Sequence, residues 1–253
     1  MDDLKDVAVD SVDDIARAAT AFRDAVARMA AYRLIISDNI ATARPMRDAS
    51  GEALGATVFA KAAPHDRWWC RSQLALKSPL AQGARYESEP FWANADGFRT
   101  LHPNAYLDAI DLSDFAARNL LLAGIVVPVH MPFGQLGMAT FGSIDPRWTD
   151  LSNNFARDAD RLMLLTRRFL TTYAQVTRRR EWLPPDCRLT GREIQCLRLA
   201  AAGKKDHEIA RIIARSHTTI RFHLHNAGEK LNAVSRGQMV FKAGQLGYLA
   251  PLN

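Results

Sequence analysis

Cysteine is scarce in this chain: three in 253 residues, at Cys70, Cys187 and Cys196. Three scattered thiols make no disulfide framework and no paired-cysteine zinc pattern. A reducing, cytoplasmic setting is the default expectation. Long uncharged apolar runs are missing, so no membrane helix and no membrane partner are expected. The N-terminus, MDDLKDVAVDSVDD, is acidic where a secretory leader is basic and then apolar, so no leader is expected. There is no glycine-rich phosphate loop and no nucleophile elbow, which argues against an enzyme and against a resident cofactor. Lysine is rare at first, with only three in the first 180 residues.

What the chain does have is a charge asymmetry. From Asp186 to Asn253 there are eleven Lys and Arg against five Asp and Glu, a surplus of six. The preceding 185 residues hold twenty-two of each sign, so the whole net charge of +6 sits in the last quarter. Positive charge confined to one small module is the footprint of a polyanion-binding domain.

The stretch TRRREWLPPDCRLTGRE marks a division. Pro184-Pro185 cannot continue a helix, because each lacks an N–H and its ring clashes with the preceding turn. Thr190-x-x-Glu193 then reads as a capping box that opens a new helix. We place one domain at 1–175, a linker at 176–187 and a second domain at 188–253. The first reads as mixed α and β: a helix from Ser11 to about Ala31, and β-rich runs YRLIIS (Tyr32 to Ser37) and ATVFAK (Ala56 to Lys61). Two strands around a turn at Pro132 to Gln135 follow, and then a long amphipathic helix from Leu151 to Thr177. Helices at both ends of an antiparallel sheet suggest a helix-covered sheet. The second domain reads as four short helices: 191–202, stopped at Gly203; 207–214, capped by Asp206 and burying Ile209, Ile212 and Ile213; 217–231, capped by Ser216; and 236–246, ending at Gly247.

Within the second domain, KDHEIARIIARSHTTIRFHLHNAGEKL carries four histidines and raises a choice between metal and nucleic acid. At about 100° per residue, Ile220, Leu224, Ala227 and Leu231 of the third helix fall on one face. Thr218, Phe222, His225, Asn226 and Glu229 fall on the other, with Arg221 and Lys230 on the flanks. His223 and His225 diverge by about 200°, so no convergent ligand set forms and no metal site is expected. Two helices joined by so short a break form a helix-turn-helix, whose second helix enters the DNA major groove. Arg221 suits a bidentate contact to guanine and Phe222 a thymine methyl. Lys204, Lys205, Thr218 and Lys230 suit the phosphates, and Ser216 and Thr219 are further expected DNA-binding residues.

These residues resemble the LuxR-type helix-turn-helix. LTGRE at Leu189–Glu193, EIA at Glu208–Ala210, SHTTIRFH at Ser216–His223 and KL at Lys230-Leu231 carry the resemblance over about sixty residues. Ala214 stands where the family usually has glycine, and Arg215 where it usually has an apolar residue. The resemblance implies that Arg221, Phe222 and His225 read bases, and that Glu193, Leu197 and Gly203 are structural. Residues 10–175 resemble, more loosely, the autoinducer-binding domain of quorum-sensing LuxR regulators, an α-β-α sandwich. SEPFWAN (Ser88–Asn94) and GIVVPVHMPFGQLGMATF (Gly124–Phe141) are the clearest pieces. The fold class implied is α+β, a sandwich followed by an all-α DNA-binding domain.

The resemblance further implies a signal pocket at His65, Trp69, Ser78 and Trp92. Of the family residues at those positions only Trp92 is kept, and Ser78 puts a neutral hydroxyl where a carboxylate is usual. Two alternatives stay open: an acyl-homoserine-lactone-like or atypical aromatic signal, or a cavity filled by the protein's own side chains in a regulator that needs no ligand. The expected partners are a near-palindromic operator, a second copy in a homodimer, RNA polymerase and a small-molecule signal. Subunits would pair through Phe155, Leu162, Leu165, Phe169 and Tyr173, unless that face covers its own sheet. The DNA-binding domains would pair through Met239, Ala243 and Leu246.

Overall fold

The computed structural model describes residues 3–42, 44–59, 77–177 and 187–249. The chain divides into two compact units, residues 1–131 with 135–178 and residues 179–253 with 132–134. Pro184-Pro185 and ATVFAK from residue 60 onward lie outside the described residues.

In the first unit, helix α1 (Ile15–Ala27) follows a 3-10 turn at Val12–Asp14 and buries Ile15, Ala18, Ala19, Phe22 and Val26. Strand β1 (Arg33–Ser37) comes next. Residues Leu54–Thr57 then form a single helical turn, α2. The β-former content of ATVFAK had pointed to a strand there. Packing overrides propensity at this point: Leu54 is fully buried, and the turn delivers Phe59 edge-on to Phe22 and Phe169, at 6.3 and 6.2 Å between ring centroids. Helix α3 (Pro79–Tyr86), strands β2 (Phe91–Asn94) and β3 (Gly97–Arg99), and the short helix α4 (Phe115–Asn119) follow. Strands β4 (Ala123–His130) and β5 (Leu136–Ser143) are joined by a 3-10 turn at Pro132–Gly134, where the sequence places a turn. Helix α5 (Ser152–Thr177) closes the unit.

The strands form one antiparallel sheet in the order β1-β5-β4-β2-β3. Helices cover both faces, so strand β4 is a continuous buried apolar run rather than an alternating one. Ile125, Val127, Val129, Ala139 and Phe141 pack under α1 and α5, with Phe22 stacked on Phe169 at 5.2 Å. Leu80, Ala81, Ala84, Phe91, Val126 and Met138 fill the opposite layer, under α3. The architecture is an α-β-α sandwich. Leu162, Leu165, Phe169 and Tyr173 all belong to the first layer, so that face of α5 covers its own sheet.

The second unit holds α6 (Gly191–Ala201), α7 (Asp206–Ile212), α8 (His217–Lys230) and α9 (Arg236–Gln245). Its core is Leu197, Ile209, Ile220, Leu224, Ala227, Leu231, Met239 and Ala243 with Cys196. Met239 and Ala243 are therefore inside the unit and not on an outer pairing face. The capping box is present: Thr190 N–H donates to Glu193 Oε2 at 2.7 Å, and Glu193 N–H to Thr190 Oγ1 at 3.3 Å. Helix α7 starts one residue early. Asp206 is its first residue, and the Glu208 carboxylate accepts from Lys205 N–H at 2.6 Å. Ile212 is 53% exposed rather than buried, because the seven-residue helix turns only Ile209, and partly Ala210 and Ile213, inward.

Candidate nucleic-acid interface and signal-binding residues

The turn between α7 and α8 sets the interface. Arg215 N–H donates to Ala210 C=O at 3.0 Å, and Ala214 sits at φ +51°. This is a Schellman closure with alanine in the left-handed position that usually takes glycine. Ser216 then caps α8, its Oγ accepting from Thr219 N–H at 3.1 Å and lying 2.8 Å from Thr219 Oγ1. Both hydroxyls are engaged at the helix start, where the backbone N–H groups of the first turn favour an anion.

Helix α8 turns Ile220, Leu224 and Ala227 into the core. Thr218, Arg221, Phe222 and His225 are exposed on its other side. Phe222 is 59% exposed and held edge-on by the His223 ring at 5.9 Å. Arg221 has no hydrogen bond or ion pair among the described residues, so its planar fork is unoccupied. Lys204 and Lys205 are exposed at the entrance to α7. Their main chain is fixed by Arg236, which bonds Asp206 and donates to Lys204 C=O at 2.6 Å.

Lys230 is placed differently. Its ammonium donates to both oxygens of Glu193, at 2.9 and 3.0 Å, and the Glu193 side chain is 4% exposed. Burial opposes the charged carboxylate, but the Thr190 N–H and the Lys230 ammonium outweigh it and hold the group below its usual range. The pair ties the C-terminal end of α8 to the start of α6. Lys242, 5% exposed, gives the same end a second anchor by donating to the carbonyls of Leu231 (3.0 Å) and Asn232 (2.8 Å). Sequence reasoning passed over both anchors. The signal was there: Lys242 falls on the apolar stripe of α9 with Met239 and Ala243, where a lysine needs carbonyl partners.

The signal-binding expectation divides. His65 and Trp69 lie outside the described residues. Ser78 is fully buried as the N-cap of α3: its hydroxyl donates to Asn119 Oδ1 at 2.6 Å and accepts from Ala81 N–H at 3.1 Å. Asn119 Nδ2 donates in turn to Phe115 C=O. Trp92 is paired with Ile125 and packs in the α1/α5 layer, with Arg99 over its ring at 5.8 Å. Its neighbours Phe91 and Ala93 face α3. Ser78 and Trp92 are thus on opposite sides of the sheet. A polar group that the sequence reading did not single out lies on the α3 side: Thr140, on β5, is fully buried and its Oγ1 has no partner among the described residues. It is paired with Val126, beside Leu80 and Leu121.

Two helices joined by a short turn, the second turning Arg221, Phe222 and His225 outward, have the geometry of a helix-turn-helix. Residues 188–243 match the family of bacterial regulatory proteins, luxR family. The chain is 37% identical over 133 residues to the transcriptional activator protein VanR of Vibrio anguillarum, covering 53% of this chain and 54% of VanR. It is 31% identical over 175 residues to RpaR of Rhodopseudomonas palustris, an HTH-type quorum sensing-dependent transcriptional regulator, covering 68% and 65%. The chain thus spans about half the length of VanR and about two thirds of RpaR. The crystal structure of Escherichia coli SdiA aligns with a TM-score of 0.41 at 24% identity, over 72% of this chain and 71% of that one. VanR and RpaR are named as regulators of transcription. Among the described residues no helix is long and apolar enough to cross a membrane.

Proposed function

We propose that the chain is a sequence-specific DNA-binding transcriptional regulator of quorum-sensing LuxR type. One observation carries this reading: α8 buries Ile220, Leu224 and Ala227 while presenting Arg221, Phe222 and His225 to solvent. In this reading Arg221 and Phe222 contact base edges, and Lys204, Lys205, Thr218 and the α8 N-terminus contact phosphates. Two copies related by a two-fold axis present two such helices one DNA turn apart, on a near-palindromic operator. The α9 side available for that pairing carries Phe241, with Val234 just before the helix, both exposed. A selection of operator sequences from random duplexes, followed by fluorescence anisotropy, tests the proposal. Arg221→Ala is expected to cost about 1–3 kcal/mol and relax one base position. A loss equal across all operator variants removes Arg221 from base reading.

For the first unit we infer a small-molecule signal on the α3 side of the sheet. The support is the unpaired Thr140 hydroxyl inside an apolar layer, a costly arrangement unless something accepts or donates there. Ser78 has little left to offer a ligand amide, since its proton is given to Asn119 and its oxygen already accepts from Ala81. A ligand whose recognition relies on an amide donor is therefore disfavoured relative to one with a carbonyl or hydroxyl for Thr140. The second reading, a self-filled cavity, is favoured by Leu121 and Leu80, which pack onto Gly142 and Gly124. Thermal denaturation with a panel of lactone and aromatic signals separates the two. A ligand at a hundred times its Kd adds about 2.7 kcal/mol, and no midpoint rise with any of them supports the self-filled form.

A further inference from the structure

A concavity in the first unit belongs neither to the DNA-facing helix nor to the α3 side of the sheet. It is a cleft of about 530 Å³ on the α1/α5 side, within the range of about 300–1,000 Å³ typical of small-molecule sites. Its apolar walls come from Val12 in the 3-10 turn, from Ile15 at the start of α1, from Pro45, and from Tyr173 near the end of α5. Val12 is apolar yet 45% exposed, as a cleft wall would be.

The rim is cationic. Arg44 and Arg47 line it, against one carboxylate, Asp48. Arg44 is exposed and has no hydrogen bond or ion pair among the described residues. Arg47 gives one N–H to Gly51 C=O. Asp48 spends Oδ1 on Ser50 N–H, Ser50 Oγ and Glu52 N–H. Two guanidinium groups and one carboxylate leave one net positive charge at the mouth of an apolar recess.

The wall is built in advance. The Tyr173 hydroxyl accepts from Arg47 N–H at 2.8 Å and donates to Arg47 C=O at 3.2 Å, fixing the arginine segment to α5. Burial pushes the Tyr173 phenol up to about 12, so it keeps that proton at neutral pH. Thr177, the last residue of α5, also lines the cleft. An occupant would therefore touch the final turn of the helix that leads in sequence to the DNA-binding unit.

We propose that this cleft binds a small amphipathic monocarboxylate, its apolar body against Val12, Ile15, Pro45 and Tyr173 and its carboxylate on Arg44. A single negative charge matches the rim, and the planar fork of arginine suits a carboxylate. The site is separate from the signal position around Thr140.

Isothermal titration of the full chain with 3-phenylpropionate, and with neutral 3-phenylpropan-1-ol, tests it. The acid is expected to bind and the alcohol to bind much more weakly. Arg44→Ala is expected to weaken the acid about tenfold or more, and Thr140→Val to leave it unchanged. Arg44 is exposed, so its removal leaves the core intact, and an unchanged melting midpoint checks that. Equal binding of acid and alcohol, full retention in Arg44→Ala, or no binding of the acid each overturns the proposal. Loss in Thr140→Val with retention in Arg44→Ala moves the ligand to the sheet and also overturns it.

Discussion

Ala214, like Leu120 and Phe133, is a residue at which local chemistry and fold disagree. It takes φ +51° to close α7 and start α8, a conformation that costs a residue with a Cβ roughly 1–2 kcal/mol. Glycine removes that cost but loosens the unfolded chain by about 0.4–1 kcal/mol. Ala214→Gly is therefore expected to stabilise the second unit by about 0.5–1 kcal/mol net, read as a higher urea midpoint at unchanged slope. A lower midpoint would show that the turn is not left-handed in solution. Lys242 presents the reverse case. Lys242→Met keeps the volume but leaves the Leu231 and Asn232 carbonyls without their ammonium. An expected loss of about 1–3 kcal/mol follows from those buried unpaired acceptors. A loss under a few tenths of a kcal/mol would mean that water takes the place of the ammonium.

Among the elements, α8 depends on ends held by others. Its start is capped by Ser216, and its other end is tied through Lys230 to Glu193 and through Lys242 to α9. The Glu193 carboxyl is held below its ordinary range when folded. Its stabilisation is thus fully present above the unfolded value of about 4.3 and is lost as pH falls through the lower folded value. Acid unfolding of the second unit followed by circular dichroism should show this, and Glu193→Gln should flatten the dependence in that window. An identical acid profile in the variant would assign the transition to other carboxylates. Element existence was well marked in the sequence here, because apolar period and cap residues agree in α6, α8 and α9. Boundaries and faces in short elements were less so: Ile212 sits outward on a two-turn helix, and Ala56 and Thr57 end a helical turn where composition suggested the start of a strand.

At the level of the whole molecule, charge and chemistry are divided between the units. The surplus of positive charge lies entirely in the second, so binding to duplex DNA is expected to fall steeply with salt. Lys204→Ala should weaken all operators alike and reduce the slope of log affinity on log salt by about one. A slope that does not move would take Lys204 out of the phosphate contacts. The first unit is neutral and sandwiched; the polar groups its proposed sites use are the buried Ser78, Asn119 and Thr140 and the exposed arginines of the cleft beside Tyr173.

The sequence by itself determined the two strands within Gly124 to Ser143 and the helix from His217 with its outward Arg221, Phe222 and His225. It could do so because those features are periodic and local, written in residues three or four apart or in cap and turn positions. Only the tertiary structure decided on which side of the sheet Trp92 lies, since one residue of strand register inverts every side chain. It also decided that Lys230 serves Glu193, thirty-seven residues away, and that Tyr173 pins Arg47 across 126 residues. Such contacts depend on how separate elements meet in space, and no spacing along the chain encodes that.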